Sequence, residues 1–387
     1  MTVLLRWIFP AAMLQGAPFC EIFIESTYIP CGDAAGRKVI RRWSRVLGGV
    51  MKKAISMTEG PLAKQILFVS LPLMLSNLLQ VLFNISDVAI VGRFAGSTAL
   101  GSVGSTSIFV TLFTGFLIGL GGGINVLVAR YYGAGRAKDV KKTVGSSLII
   151  SLIAGVILLL VGLFGSPALL QIINTKPDLL PGAVMYLRVY FLGMPALALY
   201  NYGNAVFSAI GDTKKPLIYL AIAGVLNVIL NLFFVIVCKL SVVGVALASA
   251  ISQCVSAGLI LHALTKVQDS YALHLREVKF DRAIGQHVLM LGVPAGLQNA
   301  VFAFANLFIQ AGVNSFDSLM VKGNSAAANA DNLIYDAMAA IYMACASFMS
   351  QNYGAGKVDR VKKSFFISLA YSFAIGLLLG GSLLLFG

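Results

Sequence analysis

A succession of long apolar runs constrains this chain more than any other feature. They extend over Ile66 to Gly92, Ala99 to Ala129, Val144 to Gly165, Pro181 to Ile210, Leu217 to Cys238, Val242 to Ala263, Ile284 to Val313, Ala326 to Ser350 and Ser364 to Phe386. About 20 predominantly apolar residues cross the hydrocarbon layer as a helix. Nine such runs therefore predict an all-α polytopic membrane protein with about nine transmembrane helices. Only 11% of the residues are charged, against about 25% in soluble domains.

The net charge of +14 does not imply a nucleic-acid partner, because the basic residues sit in short connections and in the N-terminal segment. Arg136, Lys138, Lys141 and Lys142 follow the second run, Lys214 and Lys215 the fourth, and Lys266, Arg276, Lys279 and Arg282 the sixth. The odd connections carry only Arg93, Lys176, Lys239 and Lys322. This bias places the N-terminus and the even loops in the cytoplasm of a multi-pass plasma-membrane protein, with the lipid bilayer as its surroundings. The five cysteines have no metal-ligand spacing and imply no disulfide framework. Residues 1–56, with Pro10, Pro18, Pro30 and the basic cluster Arg37 to Arg45, fit no span. They read as a disordered or non-native extension, the natural start lying at Met51 or Met57.

The chain repeats itself. Tyr132-Gly133-Ala134-Gly135 recurs 221 positions later as Tyr353-Gly354-Ala355-Gly356, and each is followed by a basic run ending in Val-Lys-Lys. An offset of 222 pairs Pro72 with Pro294, Asn77 with Asn299 and Asn84 with Asn306. Both loops fall on the cytoplasmic side, so the halves run parallel, related by an axis along the membrane normal. The expected division is a six-helix bundle over 57–266, a cytoplasmic linker over 267–283, and a partial second bundle of three helices over 284–387. On this reading two bundles of six make the complete molecule, and the present chain is a fragment of it. The YGAG glycines permit left-handed backbone at a helix end.

Four polar residues line one face of the first span at spacings of three, four and three: Asn77, Gln80, Asn84 and Asp87. A carboxylate at the bilayer centre costs at least about 2.5 to 3.5 kcal/mol, so Asp87 faces a wet cavity, pairs with a partner or sits at the interface. The seventh span repeats Asn299, Asn306 and Gln310, but Ile309 stands where Asp87 would be. Asn227 and Asn231 share a face of the fifth span, as cavity ligands or as interhelical glue. In the eighth span Asp331, Tyr335 and Asp336 combine acids with an aromatic, which suits organic cations unless both acids are solvated in the first turns. Tyr186, Arg188 and Tyr190 read as interface anchors.

In order and interval, Pro72 through Asn77, Asn84 and Asp87 to Val91-Gly92, then Tyr132 to Gly135, Gly211-Asp212, Lys215-Pro216 and Ser350 to Gly356, resemble the multidrug and toxic compound extrusion (MATE) family. The likeness covers residues 57–387 and is nearest to the bacterial branch related to the DNA-damage-inducible F proteins. It implies two six-helix bundles that alternate between outward-open and inward-open states. The implied function is secondary antiport: a monomer exports organic cations in exchange for H⁺ or Na⁺, without a further cofactor. It also implies a coupling site at Asp87 with Asn227 and Asn231. The polar stripes and the acids read above add Asn84 to that site and give a substrate cavity at Asn77, Gln80, Asn299, Asn306, Asp331, Tyr335 and Asp336. Asn231 stands where many members have aspartate, which makes protonation of Asp87 alone the simpler coupling scheme.

The alternative within the same superfamily is a lipid or oligosaccharide-lipid flippase, which would want a cavity lined with several Arg or Lys. The spans contain few. A membrane enzyme would need a nucleophile with its base or clustered ligands; HExxH and GxSxG are absent from the sequence, and His262, His274 and His287 share no helical face with an acid at ligand spacing.

Overall fold

The computed structural model describes residues 56–313 and 318–386, so the expectations for the N-terminal extension lie outside the described residues. Ten α-helices occupy these residues. They are α1 (Leu62–Phe94), α2 (Ser97–Gly133), α3 (Ala137–Ile172), α4 (Leu180–Phe191), α5 (Met194–Ala209), α6 (Lys214–Leu232), α7 (Ser241–Lys266), α8 (Arg282–Val313), α9 (Ser318–Gly354) and α10 (Val358–Phe386). Seven of them are long and apolar enough to cross a membrane, and the bent pair α4 and α5 together has the length and composition of an eighth. At 37 residues, α9 has the length for another, since each residue adds about 1.5 Å.

The fourth apolar run, expected as one helix, is broken. Its two parts meet at 47° across Leu192 and Gly193, just before Pro195. Proline has no N–H for the carbonyl of Phe191 four residues back and its ring crowds that oxygen, so the helix ends and restarts. A π-helical turn, Phe233–Val237, closes α6. Several helices outrun their apolar cores: α2, α3 and α9 span 37, 36 and 37 residues, because polar and basic residues at their ends extend them beyond the hydrocarbon.

The first half encloses an apolar core in which Leu120, Ile124, Leu127, Val144, Tyr202, Phe207 and Ile260 are buried together. The second half packs onto it by an exchange of partners. α8 lies along α2 rather than α9, and the N-terminal part of α1 lies along α9, where Ile66, Val69 and Leu73 meet Ala340, Ala344 and Phe348. The exchange is matched bond for bond. Asn77 of α1 donates to the backbone oxygen of Asp336 at 2.9 Å, and Asn299 of α8 donates to that of Gly115 at 2.9 Å. Backbones touch where α8 crosses α2, since a methyl on Gly119 would stand 2.3 Å from the nitrogen of Gly296, and one on Gly123 2.5 Å from that of Gly292.

The two YGAG loops lie side by side at one end of the molecule, which is called the basic end below. The first glycine of each, Gly133 and Gly354, faces the other half's backbone; the second, Gly135 and Gly356, takes a left-handed conformation at φ 69° and 72°. The linker is ordered. Tyr271 and Leu273 are buried, the Leu273 amide donates to the Leu264 carbonyl at 3.0 Å, and Tyr271 packs edge-on against Tyr132 and Phe207. Glu277 pairs with Lys141, and Asp281 with Lys142 at 3.1 Å.

Candidate functional site

Asp87 lies in the seventh turn of α1, and the helix reaches it already turned toward the first half. Immediately beyond, Ile90 and Val91 pack with Val103 of α2, Tyr186 of α4 and Val245 of α7. One turn before, Phe83 fills the place beside Gly224 of α6, where a methyl would fall 1.8 Å from the ring. Gly224 therefore lets α1 and α6 approach closely enough for their polar side chains to meet.

The side-chain amide of Asn231 donates to Oδ1 of Asp87, and the hydroxyl of Ser249 on α7 donates to Oδ2 at 3.3 Å. Asn227 closes the group, donating to the Ser249 hydroxyl at 3.2 Å and accepting from Asn231 at 3.2 Å. Asn227 and Asn231 are 6% and 0% exposed, so the charge of Asp87 is met by neutral dipoles inside the first half. The Asn231 side-chain oxygen is buried with no hydrogen-bond partner among the described residues. Tyr186 and Tyr190 stack at 5.8 Å within electrostatic reach of Asp87.

The structure thus joins Asp87, Asn227 and Asn231, and adds Ser249, which the sequence reading missed. Serine recurs along α7 at positions 249, 252 and 256, and nothing in the sequence singles out one of them. Asn84, grouped with Asp87 by the stripe, is exposed and forms no hydrogen bond among the described residues. A stripe that steps by three and four drifts around the helix, and Asn84 falls outside the Asn231 contact. Tyr186 is buried in the Ile90 and Val91 cluster rather than anchoring at an interface. Arg188 is exposed and donates to the Leu163 carbonyl at 3.1 Å.

The other polar residues do not gather around Asp87. Asn77 and Asn299 bond carbonyls between the halves, Gln80 is half-buried without a hydrogen bond among the described residues, and Asn306 is exposed. Asp331 and Tyr335 are exposed and Asp336 is half-buried. Since α9 begins at Ser318, Asp331 and Asp336 lie four and five turns into the helix, not in its first turns. Among the described residues no group of three or more His, Cys, Asp or Glu is placed to hold a metal.

The MatE family model matches residues 72–233 and 294–387. Over 312 residues the chain is 30% identical to a probable multidrug resistance protein, YpnP, of Bacillus subtilis, covering 80% of this chain and 69% of that one. It is 24% identical to an FAD transporter of Shewanella oneidensis, over 83% of this chain and 72% of that one. The fold resembles a multidrug resistance MATE family transporter of the MOP superfamily solved in an outward-facing conformation. The TM-score is 0.80 at 24% identity, over 87% of this chain and 74% of that one.

Proposed function

Because the chain belongs to the MATE family of membrane transporters, we propose that it is a secondary antiporter that exports organic cations in exchange for protons by alternating access. Drug efflux, the role in the names of several relatives, supplies the cargo class. The coupling ion is inferred from the site.

The observation that carries this reading is the bonding of Asp87. Ionised, its carboxylate accepts from Asn231 and Ser249. Protonated, it becomes a donor and needs an acceptor. The Asn231 side-chain oxygen is such an acceptor, buried and unpartnered. Rotating the amide by half a turn exchanges its nitrogen for its oxygen at Asp87, and a matching turn of Asn227, whose oxygen accepts from that nitrogen, presents its own nitrogen instead, so the pair serves both charge states. Without a second carboxylate the group carries a single negative charge, which a proton neutralises and which gives Na⁺ less to bind than a paired-acid site would.

α1 then connects charge to shape. Its C-terminal part is bonded to the first half at Asp87, and its N-terminal part is packed on α9 of the second half. A change in the bonds at Asp87 therefore acts on the surface between the halves. The test uses proteoliposomes loaded with an organic cation. A proton gradient alone drives transport, and a sodium gradient alone at matched pH does not. Transport under sodium alone would overturn proton coupling; transport under neither would overturn antiport.

A further inference from the structure

At the basic end the linker carries more positive charge than its own bonds use. The two acids nearest α8 are taken by the start of α3: Glu277 pairs with Lys141, Asp281 pairs with Lys142 at 3.1 Å, and the Asp281 amide donates to the Ser146 hydroxyl at 2.9 Å. Arg276, Lys279 and Arg282 are exposed and form no ion pair or side-chain hydrogen bond among the described residues. The corresponding segment ahead of α1 is built the other way, because the cations beside it are used in holding it. There Arg360 donates to the backbone oxygens of Met57 and Gly60 at 3.2 and 3.0 Å, and Lys357 to that of Thr58 at 2.9 Å.

Interleaved with the three free cations are two apolar side chains, Leu275 and Phe280, 65% and 50% exposed. The Phe280 ring lies over the first turn of α8, where a methyl on Gly285 would fall 2.6 Å from it. A hollow of about 290 Å³ between the end of α7 and the turn at Leu275–Glu277 is lined by Thr265, Leu273, His274, Leu275, Arg276 and Glu277. It leaves room for a phosphate beside Arg276.

Lys141 and Lys142 fix the height of this segment. They stand two to three residues before the apolar run of α3 begins at Val144, about 3 to 5 Å along the helix axis. Eleven residues on, close to three full turns, are Leu152 and Ile153, so each lysine shares a face with one of them. Those two are 44% and 53% exposed on a helix long and apolar enough to cross the membrane, so that face meets lipid. The linker bonded to the two lysines therefore lies at the level of the lipid headgroups, on the rim of the first half.

We propose that residues 274–282 are a docking site for anionic phospholipid, in which Arg276, Lys279 and Arg282 take headgroup phosphates while Leu275 and Phe280 enter the acyl boundary. Cations interleaved with apolar side chains at this height match a negatively charged lipid surface in both respects. An acidic soluble partner would answer the charge and leave Leu275 and Phe280 unexplained. Headgroup binding here is independent of what the protein carries.

The full chain is reconstituted in vesicles of phosphatidylcholine, with and without about 30 mol% phosphatidylglycerol. Hydrogen exchange of residues 274–282 slows about tenfold or more with the anionic lipid, while soluble glycerol phosphate added to phosphatidylcholine vesicles has no effect. Arg276→Gln, Lys279→Gln and Arg282→Gln together abolish the slowing, with the exchange of α2 and α7 unchanged as the check on folding. Equal exchange with and without the anionic lipid would overturn the site, as would equal slowing in the triple variant. Slowing by glycerol phosphate alone would mean a free-phosphate site and overturn the lipid assignment. A second measurement does not need the triple variant. In a chain with Trp7→Phe and Trp43→Phe, Leu275→Trp supplies the only tryptophan. Its fluorescence falls at least about twofold when the phosphatidylglycerol carries brominated acyl chains. Emission unchanged by bromination would show that this segment stays out of the lipid.

Discussion

Asn231 and Asp87, 144 residues apart in the chain, share a side-chain hydrogen bond in which the amide donates to the carboxylate. The pair ties α1 to α6, and Ser249 adds a tie to α7. Asn231→Asp would replace the amide with a second acid. Two carboxylates in contact cannot both ionise unless a proton or a cation lies between them. Sodium should then raise the melting temperature of the variant at about pH 8 by a few degrees while leaving the parent unchanged. Equal responses of variant and parent, read by differential scanning fluorimetry, would remove Asn231 as the residue that sets ion choice.

Asn77 and Asn299 make equivalent bonds in the two halves, to the backbone oxygens of Asp336 and Gly115. Truncating either to alanine leaves a helix carbonyl without its side-chain donor between the halves, a loss of about 1 kcal/mol. Each variant should melt about 2 to 4 °C below the parent, and the two losses should match. A loss confined to one would mean that the repeat's symmetry is geometric and not energetic.

The linker should respond to acid. Glu277 is held below the ordinary carboxylate range by the hydrogen bond and charge of Lys141, and Asp281 by the backbone N–H of Ile284 and then by Lys142. A depressed carboxylate stabilises the folded arrangement above its unfolded pKa and loses that contribution as pH falls through the folded one. Protection of residues 269–281 against hydrogen exchange, corrected for intrinsic rate, should stay flat from about pH 8 to pH 5 and fall below about pH 4. A fall already complete between about pH 8 and pH 6 would show that these two carboxylates do not set the linker's response to acid.

The helices were legible because lipid leaves the backbone no other partner, and the parallel repeat because the YGAG loops recur with their basic runs. Periodicity alone could not divide labour within those loops. It takes the meeting of α2 with α9 to show that Gly133 and Gly354 are there for contact while Gly135 and Gly356 are there for the turn. The exchange of partners was also out of reach, since an apolar face reads the same whether α2 or α9 covers it. At the site, Asp87, Asn227 and Asn231 stood out as polar residues in apolar helices. Ser249 did not, for a serine in a membrane helix usually bonds its own backbone, as Ser76 does to Pro72. Asn84 was placed with Asp87 by a face too wide to resolve which stripe residues reach α6.

Asp87→Asn gives the sharpest test of coupling. The amide keeps the shape of the acid and removes its titration. Where Asp87 can accept from both Asn231 and Ser249, an asparagine presents one acceptor and one donor, which is the pattern of the protonated acid. The variant should therefore rest in the state that protonation favours. A proton carried inward releases about 2.3 kcal/mol per 100 mV of membrane potential plus the contribution of the pH gradient, and a side chain that cannot exchange a proton forfeits that input. Proton-driven efflux from proteoliposomes should collapse by about tenfold or more, while binding of the same cation in detergent stays within roughly an order of magnitude, because the amide alters one group of a large site. Retention of pH-driven efflux near the parent rate would leave Asp87 a structural tie between α1 and α6. Coupling would then have to lie with Asp331 or Asp336, the acids borne deep in α9.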